Sequence, residues 1–323
     1  MKLRLAGESR QQVVKLSVVV VSIRSRLALR ACLDAIFAND LRDVEVLVVD
    51  CCLEEPFSNL IDAYPLIRIL NTSQKGCIPL LAATGLRHAV GEIIAMTDTS
   101  CLVSSDWVAN ILRAHESSFP AIGGTVETKA GRMKLLDWSA YFCEYGQFMY
   151  PLKAGAVTAL PGNNISIKRS ELENSTEFVS PGFWKTLWCD KLRRSGEELI
   201  CEPAIVTYYS NSFRIVPFLI RRYRHGRCFA GMRSKEMTRP KRVLYFAGSP
   251  LLSFVLLQRT VTTVVSKKRF LRELILSSPF LVLAMIFWSV GETWGYLKGP
   301  CHCCTRFLGL ASIDERRPLN ATT

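Results

Sequence analysis

A glycine, an acid, a short apolar run and an aspartate follow one another in Gly91-Glu92-Ile93-Ile94-Ala95-Met96-Thr97-Asp98-Thr99-Ser100. A run this short and this apolar reads as a strand buried inside a parallel sheet. It delivers the Asp98 carboxylate to the edge of that sheet. The pattern repeats upstream. Residues 16–23 (LSVVVVSI) are a β-branched run, residues 44–49 (VEVLVV) end at Asp50, and residues 65–70 (PLIRIL) form a third strand. Between them, Leu29, Leu33, Ile36 and Phe37 recur at helical spacing, and residues 78–90 read as a helix ended by Gly91 as a C-terminal glycine. Residues 107–115 form another helix. Strands alternating with helices over short connections predict a mostly parallel α/β sheet with helices on both faces. Ligands of such sheets bind beyond the carboxyl ends of the strands, which singles out Asp50 and Asp98 among the acids.

Past residue 121 the rhythm loosens. Residues 122–126 (IGGTV) look like one more strand, aromatics crowd residues 138–150, and residues 160–169 (LPGNNISIKR) read as a turn followed by a strand. Residues 187–194 form a basic helix, residues 198–206 a strand, and residues 214–233 are strongly basic. With no repeat and no low-complexity linker, the first ~215 residues read as one domain within the usual domain size.

Composition limits the partners. Of 323 residues, Lys and Arg number 41 against 28 Asp and Glu, so the net charge is 41 − 28 = +13, which favours polyanionic partners such as anionic lipid or phosphorylated substrates. A hydrophobic share of 49% points toward membrane contact. Two segments carry that hint. Residues 243–257 are apolar but broken by Gly248-Ser249-Pro250, and residues 274–290 (LILSSPFLVLAMIFWSV) sit near the lower bound for crossing a bilayer. Arg259, Lys267, Lys268, Arg269 and Arg272 lie between them. A two-span hairpin would put this basic loop on the side opposite the rest of the chain, against the tendency of basic loops to stay cytoplasmic. A first segment in the interface, with the second spanning or lying beside it, removes that conflict; a buried hairpin in a soluble protein is the other reading. The twelve cysteines are expected to stay reduced, because residues 1–15 are polar and basic and hold no signal-peptide core.

In order and spacing, SVVVVSIRSRLALRACLDAI, VEVLVVD, LAATGLRHAVGEIIAMTDTSCLVSSDW, IGGTVE, LPGNNISIKR and RRYRHGRCFAGMR resemble the family-2 inverting glycosyltransferases of GT-A fold. The resemblance spans residues 15–235, and the ending GETWGYLKG resembles the tail that follows the membrane segments of some bacterial members. It implies transfer of a sugar from a nucleoside diphosphate donor to an acceptor hydroxyl. It also implies donor binding by Asp50, Asp98 and Ser100, with Asp98 on a divalent cation, Mg²⁺ or Mn²⁺. Gly162, Asn163 and Asn164 would form the acceptor side. Three departures stand out. Ser100 takes the place of the second acid of the Asp-x-Asp motif. Ala83-Thr84 replaces an Arg-Asn pair before Gly85. Trp184-Lys185 falls where the family carries the Glu-Asp pair of the catalytic base, leaving Asp190 or Glu177 as substitutes. Lys185, Arg193, Arg221 or Arg222 could supply positive charge in place of part of the metal site.

The chain therefore divides into a tail (1–15), a GT-A-like domain (16–235), a membrane-associated helical region (236–298) and a second tail (299–323). The expected setting is the cytoplasmic face of the cell membrane. The expected partners are a nucleotide sugar, a lipid-linked or polysaccharide acceptor and anionic lipids, and not nucleic acid, whose phosphates the strand-end aspartates would repel. A catalytically degenerate relative that binds nucleotide sugar or lipid within an assembly is the rival reading.

Overall fold

A computed structural model describes residues 14–23, 26–51, 58–72, 77–128, 133–173, 182–301 and 314–316. Strands β1 (Leu16–Ser22), β2 (Val44–Asp50) and β3 (Ile67–Asn71) alternate with helices α1 (Arg26–Phe37), α2 (Ser58–Ala63) and α3 (Ile78–His88). Next come β4 (Ile93–Asp98), β5 (Cys101–Val103), α4 (Trp107–Ala114) and β6 (Ala121–Thr128). The chain continues through α5 (Leu135–Tyr145), β7 (Gly155–Val157), β8 (Ile165–Lys168), α6 (Arg169–Glu173), α7 (Lys185–Arg194) and β9 (Leu199–Tyr209). Four helices close it, α8 (Ile215–Arg233), α9 (Arg239–Gly248), α10 (Leu252–Ser266) and α11 (Leu271–Lys298), before the short strand β10 (Asp314–Arg316).

The strands form one sheet in the order β10-β3-β2-β1-β4-β8-β6-β9-β5, with β7 also on β9. β3, β2, β1 and β4 run parallel. β8 then enters antiparallel between β4 and β6, so the second half of the sheet is mixed. All seven residues of β1 are buried, because helices cover both faces of a central parallel strand. Alternate side chains divide between two cores. Val19 and Val21 meet Leu81, Ala83, Met96 and Trp188 on one face. Val18 and Val20 meet Leu29, Leu33, Ile36 and Trp107 on the other.

Gly91 does not terminate α3. The helix ends at His88, with the Ala89 amide on Gly85 O. Gly91 instead lets the chain pass close to β1: a Cβ there would stand 2.6 Å from Ser17 N, and the Gly91 amide donates to Ser17 Oγ at 2.7 Å. The first apolar C-terminal segment breaks around Gly248-Ser249-Pro250 into α9 and α10, while the second extends into the 28-residue α11. These helices join the core rather than hang from it. Val264, Leu274, Leu281 and Met285 pack with Trp138, Tyr141, Tyr145 and Tyr209. α11 also lies along α8 at a spacing that only glycine permits. A Cβ at Gly291 would be 2.1 Å from Tyr223 O, one at Gly295 2.4 Å from Arg227 O, and one at Gly226 2.4 Å from Trp288 O. Gly291-x-x-x-Gly295 is the small-residue spacing of closely packed helices. The expected boundary at residue 235 thus divides the chain but runs through a packed interface.

Candidate active site

The parallel ladder brings the two strand-end aspartates to one edge. β1 lies between them, with Ser22 in register with Asp50 and Val21 in register with Asp98. Thr72 N donates to Asp50 O at 2.9 Å and Cys51 N to Ser22 O at 3.2 Å, which fixes the strand ends. The Asp50 side chain is fully buried and pairs with Arg26 Nη1 at 2.9 Å, from the first residue of α1. A donor that reaches Asp50 therefore meets an acid already held by a guanidinium.

Asp98 is only partly covered. Its Oδ1 accepts from the Ser100 amide at 2.7 Å and from the Ser100 hydroxyl. Asp98 thus caps its own turn, the local role short acids commonly take. Burial pushes its carboxyl above the usual aspartate range. The Ser100 hydrogen bonds and the Arg221 charge work against that shift, and the Glu144 charge adds to it.

Glu144 and Arg221 carried no sequence signal as a pair, since 77 residues separate them. Glu144 lies in the last turn of α5 and Arg221 in α8. They form an ion pair with each other, and Arg222 Nη1 reaches Glu144 at 4.0 Å. Arg222 is held further, its guanidinium 4.4 Å from the Trp288 ring centroid of α11. Of the four basic candidates, Arg221 is the one whose charge acts on Asp98. Arg193 pairs with Asp190 at 3.7 Å on a half-exposed face of α7. Lys185, the first residue of α7, donates its Nζ to Leu160 O beside the Pro161-Gly162 turn. Burial lowers its pKa.

The Gly162-Asn163-Asn164 turn splits into three roles. Gly162 is exposed, with open space where a Cβ would stand. Asn163 is buried, and its Nδ2 lies 2.6 Å from Cys101 Sγ, directly after the Asp98–Ser100 turn. Asn164 is buried. Its Oδ1 accepts from Trp107 Nε1 and its Nδ2 donates to Thr125 O and Ile205 O, each at 2.8 Å. Three polar contacts consume its amide within the core, so Asn164 holds the sheet together instead of offering groups to a sugar. Next to the turn, a cavity of about 360 Å³ is lined by Gly123, Phe148, Val157, Leu160 and Pro161. Glu177 lies outside the described residues. Cys32, Cys101, Cys143, Cys189 and Cys201 are free thiols, and no group of three His, Cys, Asp or Glu side chains able to hold a metal occurs among the described residues.

Residues 17–155 match the family model described as glycosyl transferase family 2. Two solved structures share the fold. One is the mannosyltransferase PcManGT from Pyrobaculum calidifontis, in complex with GDP-Man and Mn²⁺, with a TM-score of 0.55 and 17% identity over 87% of each chain. The other is residues 1–349 of S. aureus TarS in complex with UDP-GlcNAc, with a TM-score of 0.51 and 13% identity over 89% of this chain and 93% of that one. None of the curated proteins compared matches the chain.

Proposed function

Taking the chain as a family 2 glycosyltransferase of GT-A fold, we propose that it transfers a sugar from a nucleoside diphosphate donor to a lipid-linked or polysaccharide acceptor hydroxyl, with inversion, at the cytoplasmic face of a membrane. The observation that carries this reading is the placement of Asp50 and Asp98 together at the carboxyl edge of the sheet, with Arg221 acting on Asp98. Asp50 and Arg26 receive the nucleoside. Asp98 and Ser100 stand at the diphosphate, and Gly162 and Asn163 at the acceptor. The fold neighbours bind GDP-Man and UDP-GlcNAc, which supports a nucleotide-sugar donor.

The residues fit a divalent cation in company with the donor. Both Ser100 hydrogen bonds fall on Oδ1 of Asp98, a hard carboxylate oxygen donor, while Arg221 is shared with Glu144. Asp98 would hold Mg²⁺ or Mn²⁺, with the Ser100 hydroxyl beside it and the donor's phosphate oxygens completing the shell. A bound cation neutralises charge on the departing nucleoside diphosphate.

An inverting transfer also needs a carboxylate to take the acceptor proton. Asp190 is half exposed and engaged by Arg193. Glu144 is better placed, because it pairs with Arg221 and both charges act on Asp98. The rival reading, a binding subunit without turnover, draws on Ser100 and Lys185 standing where the family has acids.

The test is turnover and binding of a panel of nucleotide sugars on membrane-reconstituted protein with native acceptor extract, with and without Mn²⁺. Transfer by the wild type, lost in Asp98→Ala and in Glu144→Gln but kept in Asp190→Asn, is the expected result. Donor binding without transfer under every condition overturns the enzyme reading in favour of the binding subunit. Loss in Asp190→Asn alone moves the base to α7.

A further inference from the structure

α11 has the length and hydropathy of a membrane span, with 28 residues and a mean hydropathy of 2.0 over its most apolar 18. At 1.5 Å per residue it reaches about 42 Å, more than the hydrocarbon core of a bilayer. Its attachments point elsewhere. Leu274, Leu281, Ala284, Gly291 and Gly295 are buried, so one stripe of the helix lies inside the protein from end to end. Both ends are tied to the same domain. Just before the helix, Arg269 pairs with Glu127 of β6 at 2.8 Å. At its far end, Tyr296 O accepts from Arg242 Nε at 2.5 Å, and Gly299 O accepts from Arg227 Nε of α8 at 3.3 Å. Carrying these ends to opposite sides of a bilayer would draw Glu144, Arg221 and Arg222, which flank the helix, into hydrocarbon.

The opposite stripe is apolar and uncovered. Ile275, Val282, Ile286, Val290 and Leu297 recur at four or seven residues along one side and are 37–70% exposed. α9, α10 and the turn between them pack beside α11 and add Leu244, Leu251 and Phe254, each 70–71% exposed. Exposed basic residues stand at the margins, Lys268 and Arg272 at the start of α11, Lys298 at its end, and Arg239 and Lys241 in α9. An apolar face rimmed by cations matches the boundary between acyl chains and anionic headgroups. We propose that α9, α10 and α11 form a monotopic docking face that lies in the plane of one anionic leaflet and does not cross it.

This inference does not depend on the transfer reading, and its test needs no activity. The purified full chain, tagged at both ends, is added without detergent to preformed phosphatidylcholine vesicles with or without phosphatidylglycerol. The expected result is cosedimentation with the phosphatidylglycerol vesicles, with both tags open to external protease. Binding should fall about tenfold or more on phosphatidylcholine alone and in Ile286→Asp, whose thermal melt stays that of the wild type. A C-terminal tag protected by the vesicle while the N-terminal tag is cut overturns the proposal in favour of a span. Folded protein that binds neither vesicle overturns it altogether, and equal binding to both removes its anionic component.

Discussion

At the sheet edge, main-chain ladders hold β1, β2 and β4 side by side, and alternation alone decides which residue faces which helix. At the seam between α8 and α11 there is no ladder. Two helix backbones approach because Gly226, Gly291 and Gly295 lack a Cβ, and the approach brings Trp288 onto Arg222 and Arg222 toward Glu144. The first region is held by main-chain hydrogen bonds and carries the acids. The second is intolerant of a single added carbon and sets the charges around those acids. On the proposed reading, donor chemistry at one would depend on packing at the other, which a division at residue 235 would conceal.

The strongest way to break this comparison is at the seam. Gly291→Val puts side-chain carbon against Tyr223 O and is expected to cost about 3 kcal/mol or more, read as a lower denaturation midpoint. Gly248→Ala in α9, where a Cβ meets nothing, is expected to stay within about 0.5 kcal/mol. Equal destabilisation by the two would remove the seam from the account.

The two edge aspartates sharpen it further. Asp50→Ala removes a fully buried carboxylate from its ion pair with Arg26, so it should lower stability by roughly 3 kcal/mol along with donor binding. Asp98→Ala, whose carboxylate is partly covered and bonded only within its own turn, should leave the melt nearly unchanged. It should reduce kcat/KM for the donor about a hundredfold, the scale of one lost electrostatic contact to the transition state. Measuring melting and kinetics on the same samples separates the two roles.

The smallest effect links the regions. Burial raises the Asp98 carboxyl, and Arg221 of α8 holds it down. On the proposed reading donor and cation binding need Asp98 ionised, so activity should fall as pH drops through a limb above the ordinary aspartate range. Arg221→Ala removes the opposing charge and should move that limb to higher pH, visible in the pH profile of kcat/KM. A limb that stays in place would mean that α8 does not act on the edge.

Much of the fold was legible because it is written locally. The runs ending at Asp50 and Asp98 and the helical spacing of Leu29, Leu33 and Ile36 became β2, β4 and α1. Gly91 was misread because a glycine after a helix and a glycine against a neighbouring strand look alike in sequence. Asn164 was misread for a similar reason: its amide is directed by Trp107, Thr125 and Ile205, from three other elements. Glu144 was missed because it sits among aromatics in α5 with no motif around it.

The sequence by itself determined the alternation of strands and helices, the carboxyl-edge position of the two aspartates and the apolar, basic-flanked character of the C-terminal third. Those properties follow from periodicity and residue type, which neighbours along the chain decide. Only the tertiary structure decided that Arg26 occupies Asp50, that Arg221 pairs with Glu144, and that α11 lies along the domain instead of leaving it. Each of these is a contact between groups tens of residues apart. A buried charge takes whichever counter-charge packing brings to it, and two helices close on each other only where both backbones are bare.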